Sequence, residues 1–409
     1  MNPIVYVIPV FLLTILAEAW AARRRPGTYD IPDALTSLHF GVLSQVSGAF
    51  LKGLNFGVYA AVYSAFHAFE LPADEPWVWV LGLLLYDFAY YWVHRFGHEW
   101  PLFWGSHENH HSSEYFNLST ALRQAPVAIW SWMFYLPMAV LGLPPLVFAV
   151  VGLVDLLYQY WVHTELIRRL GWADRVFVTP SNHRVHHGQN AYCIDRNYGG
   201  ILILWDRMFG TFVEERADEP VVYGVRKPVA RWDPVAAVFR VYGWLLRRLR
   251  ETPGWRNRLA ILFRWSAADP DWARREALIP ESLARFRRFS TVTPAAIRIY
   301  GACQFALGTL MIVHFLAVFP RLTTGAATVY ALVIVVWTWC VGRLLEGARG
   351  ARALETARVL AMAVALPLLP DWFGTALPVA AAAVLSLAFA ASGLMVLRFP
   401  VVTANAGFR

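Results

Sequence analysis

Nine of the twelve histidines in this 409-residue chain lie between His94 and His187. They read His94-Arg-Phe-Gly-His98, His107-Glu-Asn-His110-His111, a single His163, and His183-Arg-Val-His186-His187. One H-x-x-x-H and two H-x-x-H-H boxes are therefore present. Residues three or four apart on a helix differ by only about 40–60° around the axis. Each box is expected to turn its imidazoles toward one pocket. Neutral imidazole binds iron, zinc, copper or nickel. Nine rings are too many for one ion, so two metal ions are expected, with His94, His98, His107, His110, His111, His163, His183, His186 and His187 as ligands. At about 3% histidine, one H-x-x-H-H arises by chance in roughly one chain in a hundred of this length, and two copies far more rarely. His39, His67 and His314 stand apart and read as structural.

Other chemistry-bearing residues cluster around the boxes. Asp87 and Tyr91 share a helix face with His94 and His98. An acid within an apolar run is costly and functional by default, so Asp87 is expected to hold the outer nitrogen of a ligand imidazole. Asp155 and Gln159 stand in the same relation to His163. Glu99 and Glu108 directly follow His98 and His107, and Glu165 lies two residues after His163; each reads as a carboxylate ligand, a proton relay or a surface cap. Glu99, Asp87 and Tyr91 are the catalytic candidates. Tyr91, Trp104, Tyr192, Tyr198 and Trp205 are expected to line the mouth of a substrate slot or to anchor the chain at a membrane surface. Cys193, Cys303 and Cys340 form no C-x-x-C pair, which leaves nitrogen and oxygen as ligands. His98-Glu99 is followed by Trp-Pro-Leu, so the H-E-x-x-H of zinc hydrolases is missing. C-x-x-C-H, the haem attachment signal, is missing too.

These residues must be positioned by membrane helices. The chain is 57% hydrophobic and only 16% charged, with a mean hydropathy of +0.42. Apolar runs fall at 4–20, 40–69, 77–94, 126–142, 144–162, 297–319, 326–342, 359–370 and 375–397. A span takes about 20 apolar residues, so eight or nine spans are expected in an all-α, polytopic bundle. The run 40–69 is too long for one upright span and calls for tilt or for a turn near Lys52-Gly53. The run Ile4 to Trp20 carries its basic residues, Arg23 to Arg25, after it, which reads as a span and not a cleaved leader. The net charge of +8 comes from 34 Arg and two Lys. The Arg residues flank apolar runs, as the positive-inside rule and anionic lipid headgroups favour, and form no stripe suited to nucleic acid. They place every histidine box on the cytoplasmic side, in a helical cap. The Arg-over-Lys bias is that of a GC-rich bacterial genome, so a bacterial inner membrane is expected. Residues 1–75 read as N-terminal spans, 76–215 as the catalytic core, 216–295 as a cytoplasmic or interfacial segment with amphipathic pieces such as 238–248, and 296–409 as C-terminal spans. Nothing in the sequence signals an oligomeric state.

With boxes of this order and spacing, residues 85–215 resemble the membrane fatty acid hydroxylase/sterol desaturase superfamily. Asn197-Tyr-Gly-Gly200 and Trp205-Asp-Arg-Met-Phe-Gly-Thr211 resemble its closing segment. Within it, His110-His-Ser-Ser-Glu-Tyr-Phe-Asn-Leu-Ser-Thr-Ala-Leu-Arg-Gln124, Trp161-Val-His-Thr-Glu165 and Thr179-Pro-Ser-Asn-His-Arg-Val-His-His-Gly188 are similar to the alkylglycerol monooxygenase family. The spans after residue 295 also fit that family. Asn182 departs from it, because a further histidine is common at that position.

The resemblance implies two irons (zinc can replace them in preparations), O2 and a lipid C–H bond as target. It also implies an external reductant, tetrahydrobiopterin in the animal family. No Rossmann glycine pattern or ferredoxin-type cysteine set occurs, so an external electron donor is expected. Oxidation beside the ether oxygen of a glycerol ether would release an aldehyde and a glycerol derivative. Two alternatives are hydroxylation or desaturation of a sterol, carotenoid or acyl chain, and a membrane metal carrier or sensor.

Overall fold

Proline punctuates the helices that frame the histidine boxes. In the computed structural model, which describes residues 4–124, 126, 130–269, 283–400 and 402–404, α1 (Ile4–Ala21) and α2 (Ile31–Phe66) come first. The core follows as α3 (Pro76–Glu99), α4 (Pro101–His111), α5 (Leu118–Ala121), α6 (Leu136–Leu141), α7 (Pro145–Trp161), α8 (Pro180–His186) and α9 (Leu204–Phe209). Short helices α10 (Pro234–Val238), α11 (Arg240–Glu251), α12 (Trp255–Phe263) and α13 (Trp265–Ala268) come next. The chain ends in α14 (Ala295–Val318), α15 (Thr324–Glu346), α16 (Ala351–Leu368) and α17 (Val379–Leu397). α3, α4, α7, α8 and α10 begin on proline, whose fixed φ suits a first helical position and whose missing N–H costs nothing there. Strand structure among the described residues is limited to two short antiparallel pairs, Thr291–Val292 with Thr403–Ala404 and Asp371–Trp372 with Thr375–Ala376.

The chain is an integral, multi-pass membrane protein. Five segments among the described residues are long and apolar enough to cross a bilayer: Ile4–Arg24, Ile31–Phe66, Ala295–Arg321, Thr324–Glu346 and Val379–Leu397. The sequence runs numbered eight or nine, and the difference has physical causes. The described part of 126–142 and the run 144–162 form shorter helical pieces, Ser131–Leu141 and Pro145–Trp161, and the longer is about 25 Å at 1.5 Å per residue. The run 77–94 lies in α3, which carries Asp87, several tyrosines and the first box. The run 359–370 lies in α16, which also holds Arg352, Glu355 and Arg358. The long run 40–69 makes no turn at Lys52-Gly53: α2 is one unbroken 36-residue helix, about 54 Å long. Its first turns are polar and buried, with Asp33, Thr36, Ser37 and His39 nearly inaccessible.

Two apolar clusters hold the bundle. Tyr59, Val78, Leu143, Val147 and Val151 join α2, α3 and α7. Trp337, Val341, Leu345, Val359 and Phe389 join the C-terminal helices. In lipid such contacts act through close packing rather than water exclusion. Helices α10 to α13 lie over α4 and expose Phe239, Leu246, Trp255, Leu259 and Phe263, a surface suited to a headgroup layer.

Candidate metal centre

The histidines converge because α3 is stopped and turned. Trp100 is extended (φ −112°, ψ 121°) because Pro101 follows it, and a residue before proline is held out of the helical region. The chain restarts as α4 and returns His107 and His111 over His94 and His98. Thr179-Pro180 starts α8 in the same way and brings up the third box, while α7 ends just before His163.

The rings form two groups. One holds His94, His98, His107, His111 and His186; the other holds His110, His163, His183 and His187, with the nitrogens in each group within 4.8 Å of one another. Helical spacing puts each H-x-x-H-H box toward one pocket, but each box is split. Residues four apart, His107 with His111 and His183 with His187, stay together. The middle histidine, about 100° from its neighbour around the axis, crosses to the other group. The groups share a wall, since the rings of His111 and His187 stack 4.2 Å apart.

The geometry fits metal ions. Two nitrogens held at about 2.1 Å from one ion lie about 3.0 Å apart at a right angle and about 3.4 Å apart at the tetrahedral angle. The Nε2–Nε2 separations are 3.0 Å for His94–His107 and His107–His111. They are 3.3 Å for His110–His163, 3.0 Å for His163–His183 and 3.1 Å for His183–His187. For His110 and His163 the outer nitrogens explain why the contact is not an ordinary hydrogen bond. His163 Nδ1 donates to the Gln159 carbonyl at 2.8 Å and His110 Nδ1 to the Arg123 carbonyl at 3.2 Å. Both Nε2 atoms then carry bare lone pairs facing each other, which a cation between them would relieve. In the first group, His94 Nδ1 donates to the Tyr198 carbonyl at 2.7 Å and His186 Nδ1 to that of Arg196 at 3.0 Å. The Nε2 atoms of His98 and His186 are buried without a partner. Burial pushes His107, His111, His163, His183, His186 and His187 well below the usual imidazole value, and His110 to about 4. The rings stay neutral at physiological pH, the form a metal needs.

Backbone carbonyls, not acids, orient the rings of His94, His110, His163 and His186, and this corrects the role expected of Asp87. Asp87 accepts from the N–H groups of Ile201 (2.7 Å) and Leu202 (3.0 Å) and from Trp205 Nε1 (2.8 Å). It fixes the loop that delivers Tyr198. Gly200 is required there: a Cβ would stand 2.8 Å from both Asp87 Oδ1 and Asp155 Oδ1. Asp155 in turn accepts from Gln159, and Gln159 from Tyr90. Tyr91 donates to Thr211, which donates to Asp206, and Asp206 also accepts from the N–H groups of Tyr198 and Gly199. Burial pushes the Asp206 carboxyl up to about 6. Glu99 pairs with Arg95 at 2.8 Å and lines a polar cavity with Asp195 and Arg196, whose lining includes no histidine. Glu165 accepts from Tyr223. Glu108 is buried and ion-paired with Arg240 of α11.

Several site-building residues escaped the sequence reading. Arg123 donates to Ser37, Ser112 and Asp33, tying the buried start of α2 to the carbonyl that holds His110. Asn197, left-handed at φ 57°, bonds to Asn182 and Val213 and sets the path to Tyr198. Asn182 itself bonds to the Asp174 and Phe177 carbonyls. The strings that carried the resemblance already contained Arg123, Asn197 and Asp206, but no spacing rule marked them.

A cavity of about 500 Å³ opens on the first group, touching His98, His111 and His186. Of the five aromatics expected at a slot mouth, Trp104 alone lines it, joined by Trp244 and Trp265. Trp265 Nε1 donates to the His98 carbonyl at 2.8 Å. Tyr91 and Tyr198 are fully buried, Trp205 serves Asp87, and Tyr192 bonds to the Glu219 carbonyl.

Comparison with known proteins agrees with this geometry. The fatty acid hydroxylase family model matches residues 79–211, the stretch that holds all nine rings. The chain is 39% identical to human alkylglycerol monooxygenase over 360 residues, covering 86% of this chain and 80% of the human one. It is 38% identical to the Xenopus tropicalis alkylglycerol monooxygenase over 355 residues, covering 86% and 78%. An ornithine lipid hydroxylase of Rhizobium tropici is 29% identical over 178 residues, 41% of this chain and 52% of that protein. No solved structure matches the chain. Fold, histidine geometry and extent of similarity together make this chain a member of the alkylglycerol monooxygenase family, within the fatty acid hydroxylases.

Proposed function

We propose that the chain is a membrane di-iron monooxygenase of ether lipids. The carbon bonded to the ether oxygen of a glycerol ether gains a hydroxyl from one atom of O2. The other atom leaves as water, with two electrons and two protons from an external donor. The resulting hemiacetal breaks its C–O bond to give an aldehyde and a glycerol derivative. Two iron ions, when bound, would supply the activation of O2, and zinc could take their place in preparations. The observation that carries this reading is the pair of imidazole groups, in each of which two outer nitrogens are tied to carbonyls. It is joined by the relatives' activity, named alkylglycerol monooxygenase.

The chain's own residues would do three things. His94, His98, His107, His111 and His186 would hold one ion, and His110, His163, His183 and His187 the other. The carbonyls of Tyr198, Arg196, Arg123 and Gln159 would fix their rings, so that no reorganisation is needed at the moment of reaction. The tryptophan-walled cavity would hold the lipid beside the first group and keep bulk water out. Electrons would come from outside the chain, with tetrahydrobiopterin the proposed reductant. The Arg-flanked apolar runs support a bacterial inner membrane with the site facing the cytoplasm. The partners proposed are thus a membrane lipid and an electron donor, with no nucleic acid.

The test is to incubate the iron-loaded protein in lipid nanodiscs with a 1-O-alkylglycerol, an acyl lipid and a sterol under ¹⁸O2 with a tetrahydropterin. Aldehyde formed from the ether lipid alone supports the reading. Hydroxylation of the acyl lipid or sterol with the ether untouched overturns it.

A further inference from the structure

We propose that the cavity over the first histidine group is a subsite for a neutral vicinal diol, with the Glu108–Arg240 pair as the element that recognises it. The inference rests on the ether-lipid reading. In a glycerol ether the oxidised carbon is one ether oxygen away from the glycerol carbons. The free hydroxyls must therefore lie within a few bonds of whatever the imidazoles hold. The headgroup has to be read by polar groups beside the cluster.

The cavity supplies them. Trp104, Glu108 and His111 stand at i, i+4 and i+7 on α4, one helix face, and all three line the cavity. Gly105 lets α11 come close, since a Cβ there would lie 2.7 Å from the Tyr242 ring. That approach brings Arg240 onto Glu108, and Arg240 also donates to the Lys227 carbonyl at 3.1 Å. A carboxylate with its bidentate guanidinium can accept from one hydroxyl while the guanidinium donates to the next. At the recognising pair itself, charge favours a neutral head over a phosphate; Arg226, Arg247 and Asp195 also line the cavity. Arg240 is neutralised by Glu108 and Lys227 by Asp269 at 3.1 Å, and Glu108 would repel an anion brought against it. Trp244 and Trp265 flank the pair and suit the first methylenes of the chain.

The test compares a 1-O-alkylglycerol, its 2,3-di-O-methyl ether and its 3-phosphate as substrates and as competing ligands for the iron-loaded protein. The wild type should prefer the free diol over the dimethyl ether by about 100-fold or more in kcat/KM, because a site built to bond hydroxyls rejects analogues that lack them. Glu108→Gln, and the double variant Glu108→Leu with Arg240→Met that leaves no buried charge unpaired, should keep their metal content yet bring that ratio below about ten. Their loss should fall mainly on KM and on diol binding measured without turnover. A wild type without the preference, a preference for the phosphate, or variants that retain full selectivity would overturn the proposal. If the wild type oxidises no ether lipid at all, the broader reading fails instead.

Discussion

The two histidine groups are built from the same helices but live in different surroundings. The five-membered group meets a cavity, leaves the Nε2 atoms of His98 and His186 without partners, and keeps His98 and His107 only partly buried. The four-membered group is buried throughout, walled by Phe116, whose ring lies 5.5 Å from His163 and 5.2 Å from His187, and tied through Arg123 to α2. An ion site with open positions and access suits substrate and O2; a closed one suits a supporting charge. On the proposed reading one ligand type would serve two tasks, and access, not ligand identity, would separate them.

The largest effects should come from breaking either group. His98→Ala and His163→Ala should each lower turnover by about 10³-fold or more, because neither ion is expected to act alone. Retained activity in either variant, measured as aldehyde released, would make that group dispensable. A smaller and one-sided effect is expected for Asp206→Ala, which frees the Tyr198 N–H, the Gly199 N–H and Thr211. With the carbonyl that holds His94 loosened, metal affinity at the first group should fall about 10–100-fold while the second is nearly unchanged. Calorimetric titration of the metal-free protein would show one weakened phase, and equal weakening of both would erase the distinction. Trp265→Phe removes the bond to the His98 carbonyl, worth about 1 kcal/mol, so a shift of a few-fold in the first phase is expected. The smallest change is Asn182→His. Asn182 serves the Asp174 and Phe177 carbonyls and should tolerate a ring that keeps one donor, within about 1 kcal/mol by thermal unfolding.

Much of this was readable in advance, for stated reasons. Helical periodicity marked His94, His98 and the two H-x-x-H-H boxes, and the apolar runs marked the helices that carry them. Periodicity did not reveal that each box is divided, because that depends on α4 and α8 lying between the two groups. Apolar runs give eight or nine spans, where five described segments are long and apolar enough to cross, because runs such as 144–162 form shorter helices. Asp87 was singled out correctly as a buried acid, yet its partners, Ile201, Leu202 and Trp205, lie more than a hundred residues away. No local signal links it to them. Arg240 and Trp265 reach the site only through the packing of α11 and α13 on α4, which a charge pattern cannot predict.

The central claim is that nine imidazoles make two separate ion sites, and counting ions tests it most directly. Iron-loaded protein, weighed intact by native mass spectrometry, should carry two ions per chain. The His94→Ala/His186→Ala and the His183→Ala/His187→Ala variants should each keep one, at positions that anomalous scattering tells apart. A single ion in the unaltered protein, or both variants losing the same one, would contradict the account.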